Sequence, residues 1–340
     1  MTTWPRRRSM IVLERVRRRV GGVFCMAAAA WAGGSAWAAE PSAAEFPSRT
    51  VQVIVPYPPG GLTDGLVRQL AAELGQAWKQ SVVVENRGGG GTTIGTAQVA
   101  RAQPDGHTLL FTSTGLVTNQ ILMKSLPYEA DALSAVAMGG TAPNVLYVRP
   151  GLPVQSVAEL VAYAKARPGE VKFASTGNGS SPHLTAELLA SRAGISILHV
   201  PYKGAGPALT DLLAGHVDAM FHFPASLALA KQGKLRALAV AADERLADAP
   251  DLPTVVQAGV PGVVSGSWFG FFVPSATPAA IQDRIHRDVA QALRAPTVRR
   301  YMQESGLVSP PMSRAQFSAF ITHERDKWAE LIRTRNIRLE

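Results

Sequence analysis

From residue 50 onward, short runs of β-branched and apolar residues alternate with longer runs whose apolar positions recur every three or four residues. "TVQVIVPY" (50–57), "SVVVEN" (81–86) and "HTLLFTST" (107–114) read as strands. Between the first two, Leu66, Val67, Leu70 and Leu74 share one helical face, and the spacing predicts a further helix near 94–102. A second series begins at "NVLYVRP" (144–150). Ser156 and Glu159 have capping-box spacing and open a helix whose apolar face is Val157, Leu160, Val161 and Ala164, ended by Pro168-Gly169. The strand "VKFAST" (171–176) leads to a helix for which Ser181 is the predicted cap and Pro182 the first helical residue. Then come the strand "SILHVPY", the helix "PALTDLLAG", the strands "HVDAMFHF" and "KLRALAVAA", and "GSWFGFFVPS". Thr277-Pro278 reads as a cap and helix start ahead of Ile281, Ile285, Val289 and Leu293. Ser313 and Gln316 form a second capping box, opening a long final helix to about 334. Strands alternating with helices predict an α/β protein built on parallel sheet with helices on both faces.

Four strand-to-helix joints are polar and glycine-rich: 57–64, 112–115, 175–183 and 202–206. A helix N-terminus offers unpaired N–H donors and partial positive charge, which suits an anion. Glycine lets a ligand approach the backbone, and proline stiffens the loop beforehand. Ser113, Thr114, Thr176, Ser180 and Ser181 add neutral donors. One such joint is ordinarily a turn and a cap. Four in two α/β series point to a carboxylate-binding cleft. Two of them echo each other, "VPYPPGGLTDGL" (55–66) and "VPYKGAGPALTDLL" (200–213). Two readings stand side by side: coincidence in glycine-rich joints, or two similar lobes each presenting one loop to a shared cleft.

A chain of 340 residues, 46% hydrophobic and 17% charged, has room for two domains and a sizeable core. The net charge of +9 invites a nucleic-acid reading. Its distribution does not support one, because residues 1–38 hold seven arginines and a single acid. That segment has the order of a secretory signal peptide: an arginine-rich start to Arg19, the apolar "VGGVFCMAAAAWAGG", and Ala36-Trp37-Ala38 as an A-x-A cleavage pattern. The apolar stretch is shorter than the ~20 residues of a membrane span. Cleavage is expected to remove Cys25, the only cysteine, and to leave a soluble periplasmic protein without disulfides. The basic residues form no stripe interleaved with aromatics, so nucleic acid is not an expected partner.

Enzyme signatures are missing from the sequence. There is no G-x-x-x-x-G-K-[ST] loop and no G-x-S-x-G elbow, and residues 88–95 do not match G-x-G-x-x-G. The seven histidines contain no H-E-x-x-H pair. No catalytic residue, cofactor or metal is predicted.

Several segments in order, "VIVPYPPGGLTD", "VVVENRGGGGTTIGTAQVARAQPDGHTLLFTS", "FASTGNGSSPHL", "VPYKGAGPALTDLLAGHVDAMF" and "SWFGFFVPSATP", resemble the substrate-binding receptors of tripartite tricarboxylate transporters, the Bug-type receptors. The likeness runs from about Phe46 to Ile337. It implies a two-lobed type II periplasmic-binding-protein fold with a hinged ligand cleft. Lobe one would comprise 46–146 and 268–340, and lobe two 147–267. It implies a carboxylate held against the loop Tyr57–Asp64, with Pro59, Gly60, Gly61 and Thr63, beside Ser113 and Thr114. A second anchor would come from Thr176, Gly177, Asn178, Ser181 and His183, with Tyr202, Lys203 and Gly204. Two positions depart from the family pattern. His222 follows "MF" where an aspartate is usual, and Leu116 stands near the place of a histidine. Both changes disfavour an amino-acid ligand and favour a plain di- or tricarboxylate or an aromatic acid. His222 reads either as a cleft residue or as a packed strand residue.

The implied function is extracytoplasmic capture of a small carboxylate by a monomeric receptor that performs no chemistry and hands its ligand to membrane permease subunits. The same fold also serves ligand sensing through a membrane two-component kinase. Neighbouring genes for a permease or for a kinase pair separate the two.

Overall fold

The computed structural model describes residues 46–338; the segment read as a signal peptide lies outside the described residues. The chain order is β1 (Val51–Val55), α1 (Leu62–Trp78), β2 (Val82–Asn86), α2 (Thr93–Ala100), β3 (Thr108–Thr112), α3 (Gly115–Leu122) and β4 (Leu133–Val148). It continues through α4 (Val157–Ala166), β5 (Lys172–Ser175), α5 (Ser181–Ala193), β6 (Leu198–Pro201), α6 (Ala205–Ala214), β7 (Ala219–His222), α7 (Leu227–Lys231) and β8 (Arg236–Ala241). β9 (Gly266–Pro274), α8 (Ala279–Ala292), α9 (Pro296–Ser305) and α10 (Arg314–Thr334) complete it.

The strands make two sheets that share β4. The first runs β2-β1-β3-β9-β4, and the second β6-β5-β7-β4-β8. Each has three parallel strands followed by an antiparallel pair, so the two halves repeat one topology. β4 pairs with β9 from Leu133 to Pro143 and with β8 from Asn144 onward. The chain returns at Ser265, whose N–H donates to Ala241 O at 2.8 Å, and at Gly266, which pairs with Pro143. β1 and β3 run in the same sense as β4, whereas β5, β6 and β7 run against it. The carboxyl ends of the parallel strands in each sheet therefore point toward the other sheet. All four glycine-rich joints lie at those ends, which is where open α/β sheets bind ligands.

The predicted helical faces are buried. Leu66, Val67, Leu70 and Leu74 of α1 pack with Ile281, Ile285 and Val289 of α8 on one face of the first sheet. The opposite face joins a core that continues into the second sheet, from Leu110 and Trp268 to Phe221 and Leu160. A third cluster, including Ala208, Leu212 and Met220, lies under α6. Each fully buried Leu or Ile contributes about 1.5–3 kcal/mol relative to exposure.

Three expectations change. The first eleven residues of β4, "LSAVAMGGTAP", were not predicted as strand because small residues, two glycines and a proline carry little strand preference. Their pairing with the aromatic β9 supplies what propensity lacks. Ser181 is the first helical residue of α5 and not its cap, which is Ser180. The cap of α8 is Pro278, leaving the Thr277 hydroxyl buried and without a partner. Both serines cap helix starts as predicted, but only the Ser313 box closes, because Glu159 accepts from Gln155 N–H and not from Ser156. Ser156 accepts from Glu159 N–H, and Ser313 and Gln316 bond reciprocally.

Candidate functional site: a cleft built from strand-to-helix joints

The first joint is a preformed arch. β1 and β2 pair with Val55 opposite Asn86, which sets Asn86 at the root of the loop. Its Nδ2 donates to Tyr57 O at 3.1 Å and to Asp64 Oδ1 at 2.9 Å. Gly60 N–H donates to Asp64 Oδ2 at 3.0 Å, and Arg68 Nε lies 3.0 Å from both carboxylate oxygens. Asp64 is buried. Burial pushes its carboxyl up, but the donors Arg68, Gly60 and Asn86 outweigh burial and hold it below the usual carboxylate value. Its charge is therefore engaged inside the loop. Pro58, Pro59, Gly60 and Gly61 are exposed on top of the arch. Gly60 has φ +83°, and no atom lies within 4 Å of where a Cβ would stand on Gly60 or Gly61. Gly61 caps α1 without a side chain, and Thr63 is buried in its first turn.

The second joint lies beside the first. The Tyr57 hydroxyl is 3.4 Å from Thr112 Oγ1, and burial raises its pKa. Ser113 and Thr114 are buried, and the Thr114 hydroxyl has no partner. Asn119 of α3 donates to Gly91 O at 2.7 Å and to Thr92 Oγ1 at 3.0 Å, tying the glycine run after β2 to this joint.

The third joint, Thr176–Ser180, is shaped from beneath. Ser175 Oγ accepts from Gly177 N–H at 3.1 Å and sits 2.6 Å from His199 Nε2. Ser180 Oγ donates to Gly177 O at 2.6 Å. Gly179 N–H donates to His183 Nδ1 at 3.0 Å, so that nitrogen is unprotonated. The rings of His183 and His199 stack at 3.7 Å and 10°. Burial, reinforced by His199, lowers His183 to about 3, and burial lowers His199 to about 4. Thr176 and Gly177 are half-buried and Asn178 is exposed, whereas Ser181 and His183 lie inside.

In the fourth joint Tyr202 donates to Asp211 Oδ2 at 2.5 Å. Burial, then the bond and charge of Asp211, push Tyr202 up to about 12. Lys203 is exposed, and Gly204 has φ +108° with open space beyond. His222 ends β7 with its ring buried, Nδ1 2.8 Å from Ser226 Oγ and Nε2 without a partner. Burial lowers it to about 4.

The echoing joints occupy different places in the two sheets. "VPYPPGGLTDGL" follows β1, whose counterpart by strand order is β5, whereas "VPYKGAGPALTDLL" follows β6 at a sheet edge. What they share is local. In each, the aspartate of Leu-Thr-Asp folds back to bond its own loop, Asp64 to Gly60 and Asp211 to Tyr202.

Thr118 Oγ1 of α3 donates to Gly179 O at 3.0 Å, and Asn144 Nδ2 donates to Ser181 Oγ at 2.7 Å. The second and third joints thus meet at the crossing between the sheets. A cavity of about 520 Å³ lined by Tyr128, Phe272, Gln282 and Arg314 holds none of the predicted site residues. Among the described residues no group of three or more His, Cys, Asp or Glu could hold a metal ion, and no helix is long and apolar enough to cross a membrane.

A family model described as "Tripartite tricarboxylate transporter family receptor" matches residues 66–337. The chain belongs to that receptor family. This receptor is 39% identical to Protein BugT of Bordetella pertussis over 307 residues, covering 89% of this chain and 94% of that protein. Its fold is similar to that of Rpa4515 of R. palustris, determined with adipate, at TM-score 0.80 and 33% identity over 86% of this chain and 99% of the other. It is likewise similar to MatC of Rhodopseudomonas palustris, determined with malate, at TM-score 0.78 and 31% identity over 84% and 100%. The α/β periplasmic-binding-protein fold and the solute-binding, non-enzymatic class follow from these matches.

Sequence reasoning missed the residues that hold the receptor's loops in shape: Asn86, Arg68, Ser175, His199 and Asn119. Asn86, Ser175 and His199 are polar residues within strands that strand register brings to the joints, Arg68 meets Asp64 one helical turn on in α1, and Asn119 of α3 reaches back to the glycine run.

Two buried neutral histidines, His183 and His222, and the half-buried His199 predict an acid dependence. The unfolded chain takes up protons below 6.5, while His183, His199 and His222 resist until about 3, 4 and 4. Their folded values are depressed, so their stabilisation is complete above pH 6.5 and falls as pH drops toward 4, by ~1.4 kcal/mol per unit per histidine. Replacing His199→Phe is expected to flatten the decline in Tm between pH 6.5 and 4 by about a third. An unchanged slope would show that His199 does not hold its proton affinity down in the fold.

Proposed function

We propose that this receptor captures a small organic carboxylate lacking an ammonium group, a di- or tricarboxylate or an aromatic acid, outside the cytoplasm and presents it to membrane permease subunits as a monomer. The observation that carries this reading is the division of charge at the joints. Four helix starts there (α1, α3, α5 and α6) have no side-chain cap, which leaves the first turns of α1, α5 and α6 to an anion, whereas in α3 the Leu116 and Val117 N–H groups already donate to Ser113 O and Thr114 O. Both acids of those joints, Asp64 and Asp211, are engaged by their own loops. Acceptors for a ligand ammonium are thereby withdrawn, and neutral His222 supplies none of the charge an aspartate would. The adipate and malate complexes of the two relatives support the ligand class. In this reading Tyr57–Asp64, Ser113 and Thr114 face Thr176–His183, Tyr202–Gly204 and His222 across the cleft. Lobe one (46–146 and 268–340) closes on lobe two (147–267) by hinge motion.

The test is a thermal-shift panel of mono-, di- and tricarboxylates, aromatic acids and amino acids. A ligand at a hundred times its Kd adds about 2.7 kcal/mol of stability. At least one carboxylate is expected to raise Tm while amino acids do not. No shift with any carboxylate at millimolar concentration would sink the proposal. Gly60→Val sharpens it, because the side chain would project into the open space above the arch. Lost binding with a cooperative fold is expected, and unchanged affinity would move the carboxylate away from this loop.

A further inference from the structure

Both chain crossings between the sheets converge on one buried amide. Asn144 is the residue at which β4 leaves β9 and joins β8. Its backbone N–H donates to Ser265 O at 3.1 Å, on the returning strand. Its side-chain Nδ2 donates to Ser181 Oγ and Thr185 Oγ1, each at 2.7 Å, in the first turns of α5. Thr185 Oγ1 is in turn 2.7 Å from Ser265 Oγ. Asn144, Thr185, Ser181 and Ser265 are at most 4% exposed. One network thus clamps the outgoing crossing, the returning crossing and the helix that carries the third joint.

Asn144 Oδ1 is buried without a partner. An orphan acceptor of this kind is destabilising, and an apolar residue of the same size would avoid it. The amide therefore stands there for what it orders. On the other side of Asn144 no side-chain network ties the crossings: Ala142 and Pro143 pair with Ser267 and Gly266 through the backbone, and a Gly266 Cβ would stand 2.6 Å from Ala142 O.

We infer that Asn144 is a positioning residue for ligand capture: it makes both crossings rigid with α5 and confines the rotation between the halves to Ala142–Pro143 and Gly266–Ser267, between the Asn144 network and the Thr141–Val308 and Trp268 contacts. This rests on the receptor reading given above. Closure then moves the Thr176–Ser180 loop as one body with the second sheet, and loss of the clamp lets that loop shift against the hinge.

The experiment has two arms. Asn144→Leu and Thr185→Val are each compared with wild type for affinity, by calorimetry with the carboxylate giving the largest thermal shift, and for the fall in radius of gyration on saturation, by small-angle X-ray scattering. At least a tenfold loss of affinity, equal to 1.4 kcal/mol, and a smaller fall in radius are expected, with the double variant no worse than the poorer single. A purely structural role would change Tm and leave affinity and radius unaltered, and that result would overturn the inference. The second arm uses hydrogen exchange on the free wild-type protein and needs no ligand. Faster exchange is expected at the Ala142, Gly266 and Ser267 amides than at 144–148, and equal protection across both stretches would overturn the hinge placement. If no carboxylate binds wild type, the receptor reading falls while this arm still decides where the halves flex.

Discussion

Replacing Asp64→Ala is expected to lower the unfolding free energy by about 2–3 kcal/mol and to abolish carboxylate binding. The carboxylate is buried and takes hydrogen bonds from Gly60 N–H, Arg68 and Asn86. Removing the acceptor of a buried charged network typically costs ~3–5 kcal/mol. The figure here is lower because the Arg68 side chain is 48% exposed and regains water. Gly60 N–H loses its acceptor and Asn86 Nδ2 keeps only Tyr57 O, and Pro58–Gly61 is then free to leave its preformed shape. The measurement is urea unfolding at constant m-value together with ligand titration. A midpoint and affinity equal to wild type would show that the arch holds its shape without Asp64. The same carboxyl has a depressed folded pKa, so its contribution is complete above the ordinary value of 3.8 and fades as pH falls below it.

The second large effect is expected in the core. Gly270 lies in β9 between Thr112 and Met138, with a Phe317 ring directly upon it. A Cβ there would meet Phe317 Cζ at 2.3 Å and Ala137 O at 3.1 Å. Phe317 is fully buried and packs on Trp268, Phe272 and Phe320, so any shift of its ring displaces those neighbours. Overpacking costs ~1–3 kcal/mol or more. Gly270→Ala is expected at the upper end, about 3 kcal/mol, read as a lowered thermal midpoint with retained far-ultraviolet dichroism. Gly61→Ala serves as the control, because its Cβ would meet nothing and its φ is −80°. Equal midpoints for the two variants would show that the sheet yields under Phe317.

Periodicity located most elements and failed where local preference and tertiary demand diverge. α1 and α8 bury the apolar faces read from spacing. The first half of β4 was invisible because its glycines serve their neighbours: Gly139 leaves room for Phe111, as Gly270 does for Phe317. α7 and α9 were likewise not foreseen, and α3 was marked only as the helix into which the joint 112–115 leads. At the joints, composition marked the loops but not their supports. Asp64 reads from sequence as a helix-start acid or a ligand acceptor; Arg68 stands one helical turn on, but only the fold shows Asn86 reaching it as well. His183 reads as a cleft residue, and the fold shows it stacked beneath the loop on a histidine sixteen positions away.

By itself the sequence determined the α/β class, the places where strands give way to glycine-rich helix starts, and the family. These are local properties, written in periodicity, in backbone freedom and in ordered motifs. The tertiary structure decided which joints face one another, which charges remain open to a ligand, and where the two halves are clamped. Strand order and register bring Asn144 to Ser181 and Ser265, and Ser175 to His199, across distances along the chain that no spacing rule spans. A hydrogen bond depends on position in space, and for residues far apart in the chain that position exists only once the sheets have formed.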